Sequence, residues 1–340
     1  MGDDTTSNAS QDTDPVALLF PGQGSQSPGM GKLVYEHSEA ARRTFEEASD
    51  VTGFDVARVC FEGDAAQLAE TTITQPAVLT TSVAIASAMR EKLAEVGRLM
   101  RPRLFGGHSL GLFSAAVAAE ALTFRDALLV ILERARLMSS FNDERPVGMA
   151  SIIGLETVLV EQICTEATIS PESRVDVANH NLDTQIVISG HVSALERAME
   201  RSRALQAKVI RLKVNVSSHT PLHNEQAEQF AEVIREIPLS DPTQPIVSNI
   251  TSKSLSTAEE LRDEFGAQLR SAVHWAENVR EMERQGVKTY IEAGPGHVLA
   301  RMVRRLSEGA VAVSLDDATK EPIPISVLPP LSLTPPEPAR

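Results

Sequence analysis

Long apolar runs, a secretion signal and paired cysteines are all missing from this sequence. No apolar run reaches the roughly 20 residues that a membrane-spanning helix needs, and the N-terminus, MGDDTTSNASQDTDP, is acidic and polar. The two cysteines, Cys60 and Cys164, form no C-x-x-C pair, so neither a disulfide framework nor a metal site is expected. Both are predicted to be small buried apolar residues. We therefore expect a cytoplasmic protein without a membrane partner or a metal.

Aromatic residues and positive charge are also scarce. Aromatics make up 4% of the 340 residues, so the core must consist mainly of Leu, Val, Ile and Ala. The net charge of −14 argues against nucleic acid as a partner, because the phosphate backbone would be repelled. The apolar fraction is 42%, which is ordinary for a globular protein. This length allows one large core, or a core with a small inserted subdomain.

Apolar strands alternate with helical patterns along most of the chain, which is typical of an α/β architecture. Strands are predicted at 16–20, 103–106, 150–154, 185–189, 209–216, 245–249 and 287–291. Helices are predicted at 30–50, 75–96, 111–121, 124–140, 155–167, 192–206, 222–236 and 297–306.

Three stretches depart from this pattern. Residues 144–213 read as strand, helix, strand, helix, strand, which predicts a small α+β subdomain inserted between 15–143 and 214–315. Residues 1–14 are polar, small and acidic, and are expected to form a disordered arm. Residues 316–340 are rich in proline, which predicts an extended strap or a loose end.

A G-x-S-x-G motif, Gly107-His108-Ser109-Leu110-Gly111, carries the first chemical signal. A short apolar strand precedes it and an alanine-rich helix follows it, which is the setting of a nucleophile elbow. In such a turn the serine side chain is exposed, and the N-terminus of the helix can stabilise an oxyanion. The bare pattern also arises by chance in Gly/Ser turns, so this context is what favours Ser109 as a nucleophile.

A serine nucleophile needs a base within hydrogen-bonding reach. His219 follows the alternating strand 209–216 and so lies at a strand end, where active-site loops are common. The other candidates are less suitable, since His108 belongs to the elbow and His37, His191 and His223 stand in polar contexts that predict solvated side chains. On the residues alone, His219 fits a base and an ordinary loop histidine equally well.

The loop Pro21-Gly22-Gln23-Gly24-Ser25-Gln26 follows the first strand. It has neither the Lys-Ser/Thr pair of a P-loop nor the spaced glycines of a dinucleotide fingerprint. A loop that presents backbone N–H groups opposite an elbow is better suited to an oxyanion hole.

Motifs spread from residue 16 to residue 306 resemble those of the malonyl-CoA:acyl-carrier-protein transacylase family of fatty-acid and polyketide synthesis. The matching segments are FPGQGSQ (20–26), TQPA (74–77), GHSLG (107–111), ERARLM (133–138), NHN (179–181), QIVISG (185–190), SH (218–219), VHW (273–275) and EAGPG (292–296). The resemblance implies an α/β-hydrolase-like large subdomain with an inserted ferredoxin-like small subdomain. It also implies acyl transfer from CoA to an acyl carrier protein, with a CoA thioester as substrate and no bound cofactor.

The resemblance also assigns roles to residues. It implies a Ser109–His219 dyad, an oxyanion hole made by the backbone N–H groups of Gln23 and Leu110, and a backbone carbonyl at His274 that orients the base. The substrate-binding residues that it implies are Arg134, His108, Leu112, Asn179 and Ser218.

Arg134 lies on the apolar face of the predicted helix 124–140, at helical spacing from Ala127, Ile131 and Met138. An arginine on such a face either extends its charged end to water or pairs with an anion. In the family that the chain resembles, the matching arginine binds the free carboxylate of malonyl. Leu112 is a departure, since many relatives have Glu after the elbow glycine, and it suggests an altered acyl pocket.

Three enzymatic interpretations follow. The first is a free-standing malonyl transferase, expected to be monomeric and of either pathway. The second is a transferase for a bulkier, non-malonyl group, acting between two carrier proteins in polyketide synthesis. The third is a hydrolase that releases acyl groups from a carrier protein.

Carrier proteins of these pathways are generally acidic, as this chain is, so docking requires a local basic patch. One candidate patch comprises Arg301 and Arg305, four apart and therefore on one face of the predicted helix 297–306. The other comprises Arg211 and Lys213, on the strand that leads to His219. Both patches equally fit ordinary solvated faces.

Overall fold

A computed structural model describes residues 15–212 and 216–316, apart from the side chains of residues 143 and 144. The predicted arm 1–14, the predicted tail beyond residue 316 and Lys213 lie outside the described residues. The strands are β1 (Val16–Phe20), β2 (Leu104–Gly107), β3 (Val147–Ile153), β4 (Val175–Leu182), β5 (Gln185–His191), β6 (Lys208–Arg211), β7 (Ile246–Val247), β8 (Ser254–Leu255), β9 (Thr289–Glu292) and β10 (Val311–Ser314). The helices are α1 (Lys32–His37), α2 (Glu39–Thr52), α3 (Val56–Glu62), α4 (Thr71–Glu95), α5 (Gly111–Ala118), α6 (Phe124–Glu144), α7 (Thr157–Ala167), α8 (Val192–Ala204), α9 (Asn224–Glu236), α10 (Ala258–Ala267), α11 (Trp275–Arg284) and α12 (Val298–Leu306).

The larger sheet has the strand order β10-β9-β1-β2-β7-β8, and its pairs are parallel except for β7 with β8. Strand β1 is buried along its whole length, as expected of a continuous apolar run in a parallel sheet covered on both faces. Phe20 and Gly107 are paired at the carboxyl ends of β1 and β2. The loops that follow these two strands therefore begin side by side, at the sheet edge where ligands of α/β proteins bind.

The second sheet is antiparallel, with the order β4-β5-β3-β6. Helices α7 and α8 pack on one face of it and enclose a core of their own that includes Ile152, Ile163 and Leu195. The chain order β3, α7, β4, β5, α8, β6 and the strand order together make this unit ferredoxin-like. The predicted fold class, an α/β-hydrolase-like large subdomain with an inserted ferredoxin-like small subdomain, is confirmed: the chain is mixed α/β, with a mainly parallel sheet and a separate antiparallel one.

Local sequence signals explain where the boundaries differ from prediction. The predicted helix 30–50 is two helices, because Ser38 takes an extended conformation between them and its side chain caps α2 by accepting from the N–H of Ala41. Strand 209–216 ends at Arg211 within the described residues. No helix in the described ranges is both long and apolar enough to cross a membrane.

Two helices of the larger subdomain carry polar side chains into the interior. Gln75 lies in α4, and Arg134 lies in α6, which packs against α4. Both side chains are buried. The packing of these helices thus brings a guanidinium group beneath the carboxyl end of the sheet.

Candidate active site

The turn between β2 and α5 holds Ser109 in a left-handed backbone conformation, with φ of 53°. A side chain at Gly111 would place its Cβ 2.0 Å from the carbonyl oxygen of Phe20, so only glycine lets α5 begin this close to β1. The predicted strand–turn–helix setting of Ser109 is confirmed. Nucleophilic serines in catalytic turns commonly have such a strained backbone conformation.

His219 lies against this serine. Its Nε2 is 2.7 Å from the Oγ of Ser109, and its Nδ1 lies 2.9 Å from the carbonyl oxygen of Gln268 and 3.1 Å from that of Ser271. Carbonyl oxygens only accept, so Nδ1 carries the hydrogen and Nε2 is left to accept one from the serine. This is the arrangement that a general base for Ser109 requires.

The prediction that the carbonyl of His274 orients this base is wrong. The carbonyl groups within reach of His219 belong to Gln268 and Ser271. His274 instead stacks its ring on that of His180, with ring centroids 4.7 Å apart. The short helical turn after α10 carries the accepting carbonyls, and a carbonyl leaves no signal in a sequence.

Electrostatics keep His219 neutral. Burial, and then the positive charge of Arg134, lower the pKa of His219 to about 3. The imidazole is therefore unprotonated at any ordinary working pH and is able to take a proton from Ser109.

Arg134 is 1% exposed and reaches the nucleophile. Its Nη2 donates to the Oγ of Ser109 and to the Oε1 of Gln268, both at 3.1 Å, and its Nη1 donates to the Oε1 of Gln75 at 2.8 Å. Burial lowers the pKa of Arg134 to about 9. Among the described side chains, no carboxylate forms an ion pair with it and its Nε has no hydrogen-bond partner. Within the part of the chain that the structure describes, the guanidinium is thus a buried cation without a counter-charge.

A cavity of about 400 Å³ opens between the two sheets at this point. Ser109, Arg134 and His219 line it, together with the predicted site residues Gln23, His108, Asn179 and Ser218. Met149, Ser151 and Val187 of the antiparallel sheet form the facing wall. The structure therefore brings most of the predicted site residues to one cavity.

Leu112 is not one of them. It is fully buried in the main hydrophobic core and does not line the cavity. The prediction that Leu112 contacts the substrate is therefore wrong, because α5 turns this position away from the site. His108, by contrast, lines the cavity with its Nε2 held 2.9 Å from the Oδ1 of Asn181.

The two predicted oxyanion donors come from the loop after β1 and from the elbow itself. Gln23 lies in the loop after β1 and lines the cavity. This loop is pressed against the elbow, since a Cβ at Gly22 would lie 2.3 Å from the carbonyl oxygen of His108. Leu110 directly precedes α5, so its N–H belongs to the first turn of that helix.

Sequence reasoning missed three polar residues and misjudged a fourth. Gln75 stands in a matched motif but had no predicted role, Gln268 had no signal, and Asn249 contacts the elbow directly. His223, predicted to be solvated, is fully buried with its Nε2 2.8 Å from the Oγ of Ser217.

Three of the predicted docking residues, Arg211, Arg301 and Arg305, are described, and none of them lines the cavity. Arg301 and Arg305 are exposed on α12, the helix whose Val298 and Met302 line the cavity wall. Arg211, on β6, forms a 3.4 Å ion pair with Glu196.

The sequence profile described as "Acyl transferase domain" matches residues 17–321. The chain belongs to this acyl transferase family. It is 37% identical over 306 residues to the malonyl CoA-acyl carrier protein transacylase of Bacillus subtilis (strain 168), covering 89% of this chain and 93% of the relative. The Escherichia coli (strain K12) protein of the same name is 35% identical, with 88% of this chain and 96% of the relative covered.

Solved structures of the acyl transferase family superimpose on this chain. The malonyl CoA-acyl carrier protein transacylase of Coxiella burnetii gives a TM-score of 0.84 at 32% identity, covering 89% of this chain and 94% of that one. A malonyl-transacylase solved in complex with a type II polyketide acyl carrier protein gives 0.83 at 35% identity, covering 89% and 96%. The predicted family is confirmed.

Proposed function

We propose that this acyl transferase moves a malonyl group from CoA to the phosphopantetheine thiol of an acyl carrier protein. The observation that carries the proposal is the charge of Arg134, 3.1 Å from the Oγ of Ser109, which no carboxylate among the described residues compensates. A malonyl group esterified to Ser109 places a free carboxylate a few bonds from that oxygen, within reach of the guanidinium. A bidentate pair with it would supply the missing counter-charge. The names of the curated relatives support the same substrate.

The first half-reaction starts at the dyad. The Oγ of Ser109 attacks the thioester carbonyl while His219 takes the serine proton at Nε2, and the carbonyls of Gln268 and Ser271 stabilise the imidazolium through Nδ1–H. The tetrahedral intermediate collapses, the carbon–sulfur bond breaks, and the leaving CoA sulfur receives the proton from His219. In the second half-reaction the pantetheine thiol gives its proton to His219, attacks the ester, and restores the Ser109 hydroxyl.

The oxyanion of both intermediates is proposed to accept from the backbone N–H groups of Gln23 and Leu110. Two observations support this assignment. The N–H of Ser109 itself donates to Asn249 at 2.7 Å and is committed there. The N–H of Leu110 lies in the first turn of α5, where the helix dipole favours negative charge.

The remaining predictions extend this proposal. His108, Asn179 and Ser218 line the cavity beside Ser109, and we propose that they contact the substrate. No resident cofactor is proposed, because both steps exchange an acyl group between nucleophiles and need only a proton carrier, with the CoA thioester as substrate. A monomeric protein in the cytoplasm and docking of the carrier on Arg301 and Arg305 stay predictions.

The rival interpretations now differ in support. Leu112 was the reason to consider a bulkier acyl group, and its burial in the core removes that reason. A hydrolase does not need a buried cation to bind the carboxylate of the acyl group, so the charge of Arg134 argues against this interpretation.

A two-step experiment tests the proposal. Intact-protein mass spectrometry after incubation with a panel of acyl-CoA thioesters should show one malonyl adduct and much less acetyl or butyryl adduct. Adding a phosphopantetheinylated carrier protein should then move the malonyl group to the carrier. Free malonate released without a carrier would indicate the hydrolase, and preferential labelling by a bulkier group would indicate the non-malonyl transferase.

A further inference from the structure

The side chain of Asn249 bridges the two sides of the nucleophile turn. Its Oδ1 accepts from the backbone N–H of Ser109 at 2.7 Å, and its Nδ2 donates to the carbonyl oxygen of Gly107 at 2.7 Å. Asn249 is fully buried and stands two residues after the end of β7, which pairs with β2 in the sheet. One amide therefore holds the backbone both before and at the strained serine.

Asn249 is itself held in place by a buried carboxylate. Glu264, in α10, accepts from the N–H of Asn249 at 2.8 Å and from the Oγ of Ser248 at 2.6 Å. The N–H of His274 completes the arrangement by donating to the carbonyl of Asn249 at 2.8 Å. Glu264 is 5% exposed, and these hydrogen bonds offset part of the cost of burying it.

A second side chain that holds the Ser109 backbone comes from the short helical turn after α10. Gln268, four residues after Glu264, donates from Nε2 to the carbonyl oxygen of Ser109 at 3.1 Å. Both polar groups of the Ser109 backbone are thus hydrogen-bonded by side-chain amides. A non-glycine residue at φ of 53° persists only when its surroundings fix it. These two contacts help to fix Ser109, together with the N–H of Leu112, which donates to the Ser109 carbonyl at 3.0 Å.

The amide of Asn249 suits this position because it supplies one acceptor and two donors without charge. Its contact with Ser109 N–H also keeps that group away from the cavity, which leaves Leu110 N–H as the elbow's donor to an oxyanion.

We propose that Asn249 is a positioning residue for acyl transfer. It fixes the Ser109 backbone so that the serine Oγ meets His219 and the Leu110 N–H meets the developing oxyanion. Glu264 in turn holds Asn249 in place. This inference rests on the proposed function, since it takes Ser109 as the nucleophile. Neither Asn249 nor Glu264 lines the cavity, so their effect falls on the rate of the chemical step and not on binding.

The test measures single-turnover malonylation of Ser109 in three variants of the full chain. Asn249→Ala should lower the rate at saturating malonyl-CoA by roughly 10–100-fold, less than the roughly 10²–10³-fold lost when an oxyanion donor itself is removed, because Asn249 acts through the backbone that it holds. The half-saturating concentration should change less than about twofold. Glu264→Gln keeps the shape and one accepting oxygen, so it should lower the saturated rate several-fold in the same direction.

Asn278→Ala is the matched control. Asn278 is also a buried asparagine, 1% exposed, but its Oδ1 accepts from the Oγ of Ser252, away from the elbow. This variant should lose thermal stability while keeping its saturated rate.

Three results would overturn the inference. They are a wild-type rate in folded Asn249→Ala, a loss confined to the half-saturating concentration, and an equal rate loss in Asn278→Ala. If Asn249→Ala does not fold, an unchanged rate in Glu264→Gln overturns the inference by itself. If the wild-type protein takes up no acyl group at all, the proposed function fails, which is a separate and recognisable outcome.

Discussion

Arg134 and Ser109 are joined by a 3.1 Å hydrogen bond from the guanidinium Nη2 to the serine Oγ. The partners of the guanidinium among the described residues are all neutral, two glutamine side chains and this hydroxyl. An acyl group with a carboxylate could exchange weak neutral contacts for a charge-assisted pair, whereas a neutral acyl group could not. The proposed selectivity for malonyl follows from this relationship.

Replacing Arg134 should therefore separate malonyl from acetyl transfer. In Arg134→Ala, kcat/KM for malonyl-CoA should fall. The expected loss of transition-state stabilisation is about 2–5 kcal/mol, the cost of removing one partner of a buried charge pair. Acetyl-CoA should lose far less. Arg136→Ala is the control, because Arg136 is exposed and paired with Glu133 in the same helix. Equal losses for both thioesters would make Arg134 a structural residue.

The same arginine should control the pH dependence of acylation. Its charge helps lower the pKa of His219 to about 3, so wild-type acylation should persist as pH falls from 8 to 5. Removing the charge allows the pKa of His219 to rise, so the acidic limb of the kcat/KM profile should move to higher pH in Arg134→Ala. Acetyl-CoA is the substrate for this measurement, because it does not depend on the lost carboxylate contact. An acidic limb that does not move would contradict the coupling.

Sequence analysis predicted the parts of this site that depend on particular residue types at fixed spacing. Ser109 could be recognised because an apolar strand and an alanine-rich helix surround it. The carbonyls of Gln268 and Ser271 could not be recognised, since any residue type offers a carbonyl. Asn249 was equally hidden, because its partners are backbone groups of a distant turn.

The fold shows the same division. Strand β1 was predicted at its true bounds because a buried parallel strand is a continuous apolar run. Strand β4 was missed because Asn179 and Asn181, both of which line the cavity, interrupt its apolar pattern. Helix α10 was missed although its capping box of Thr257 and Glu260 was a readable signal.

His223 should make folding stability sensitive to acid. Burial lowers its pKa to about 4, below the unfolded value near 6.5, so the unfolded chain binds the extra proton first and stability falls as pH drops below about 6.5. The free energy of unfolding should fall between pH 6.5 and 4.5 in both proteins. The fall should be about 2 kcal/mol smaller in His223→Gln, which lacks the titrating imidazole, than in the wild type. Urea denaturation across this range measures it, and parallel pH profiles for the two proteins would refute the assignment.

Carrier docking should depend on the exposed arginines of α12. Arg305→Glu and Arg301→Glu should slow transfer to an acidic carrier protein, more strongly at low salt, while self-acylation from malonyl-CoA stays unchanged. Arg43→Glu is the control, since Arg43 is exposed on α2 and does not line the cavity. Arg211→Glu tests the second patch. If none of these reversals changes carrier transfer, docking must use other contacts.

The covalent intermediate tests the account most directly. Wild-type protein and Ser109→Ala are incubated with malonyl-CoA, and each is analysed by intact mass and peptide mapping. The account predicts one malonyl group on the wild type, located on the peptide that contains Ser109, and none on the variant. Malonyl labelling that persists in Ser109→Ala would contradict the assignment of the nucleophile and the mechanism built on it.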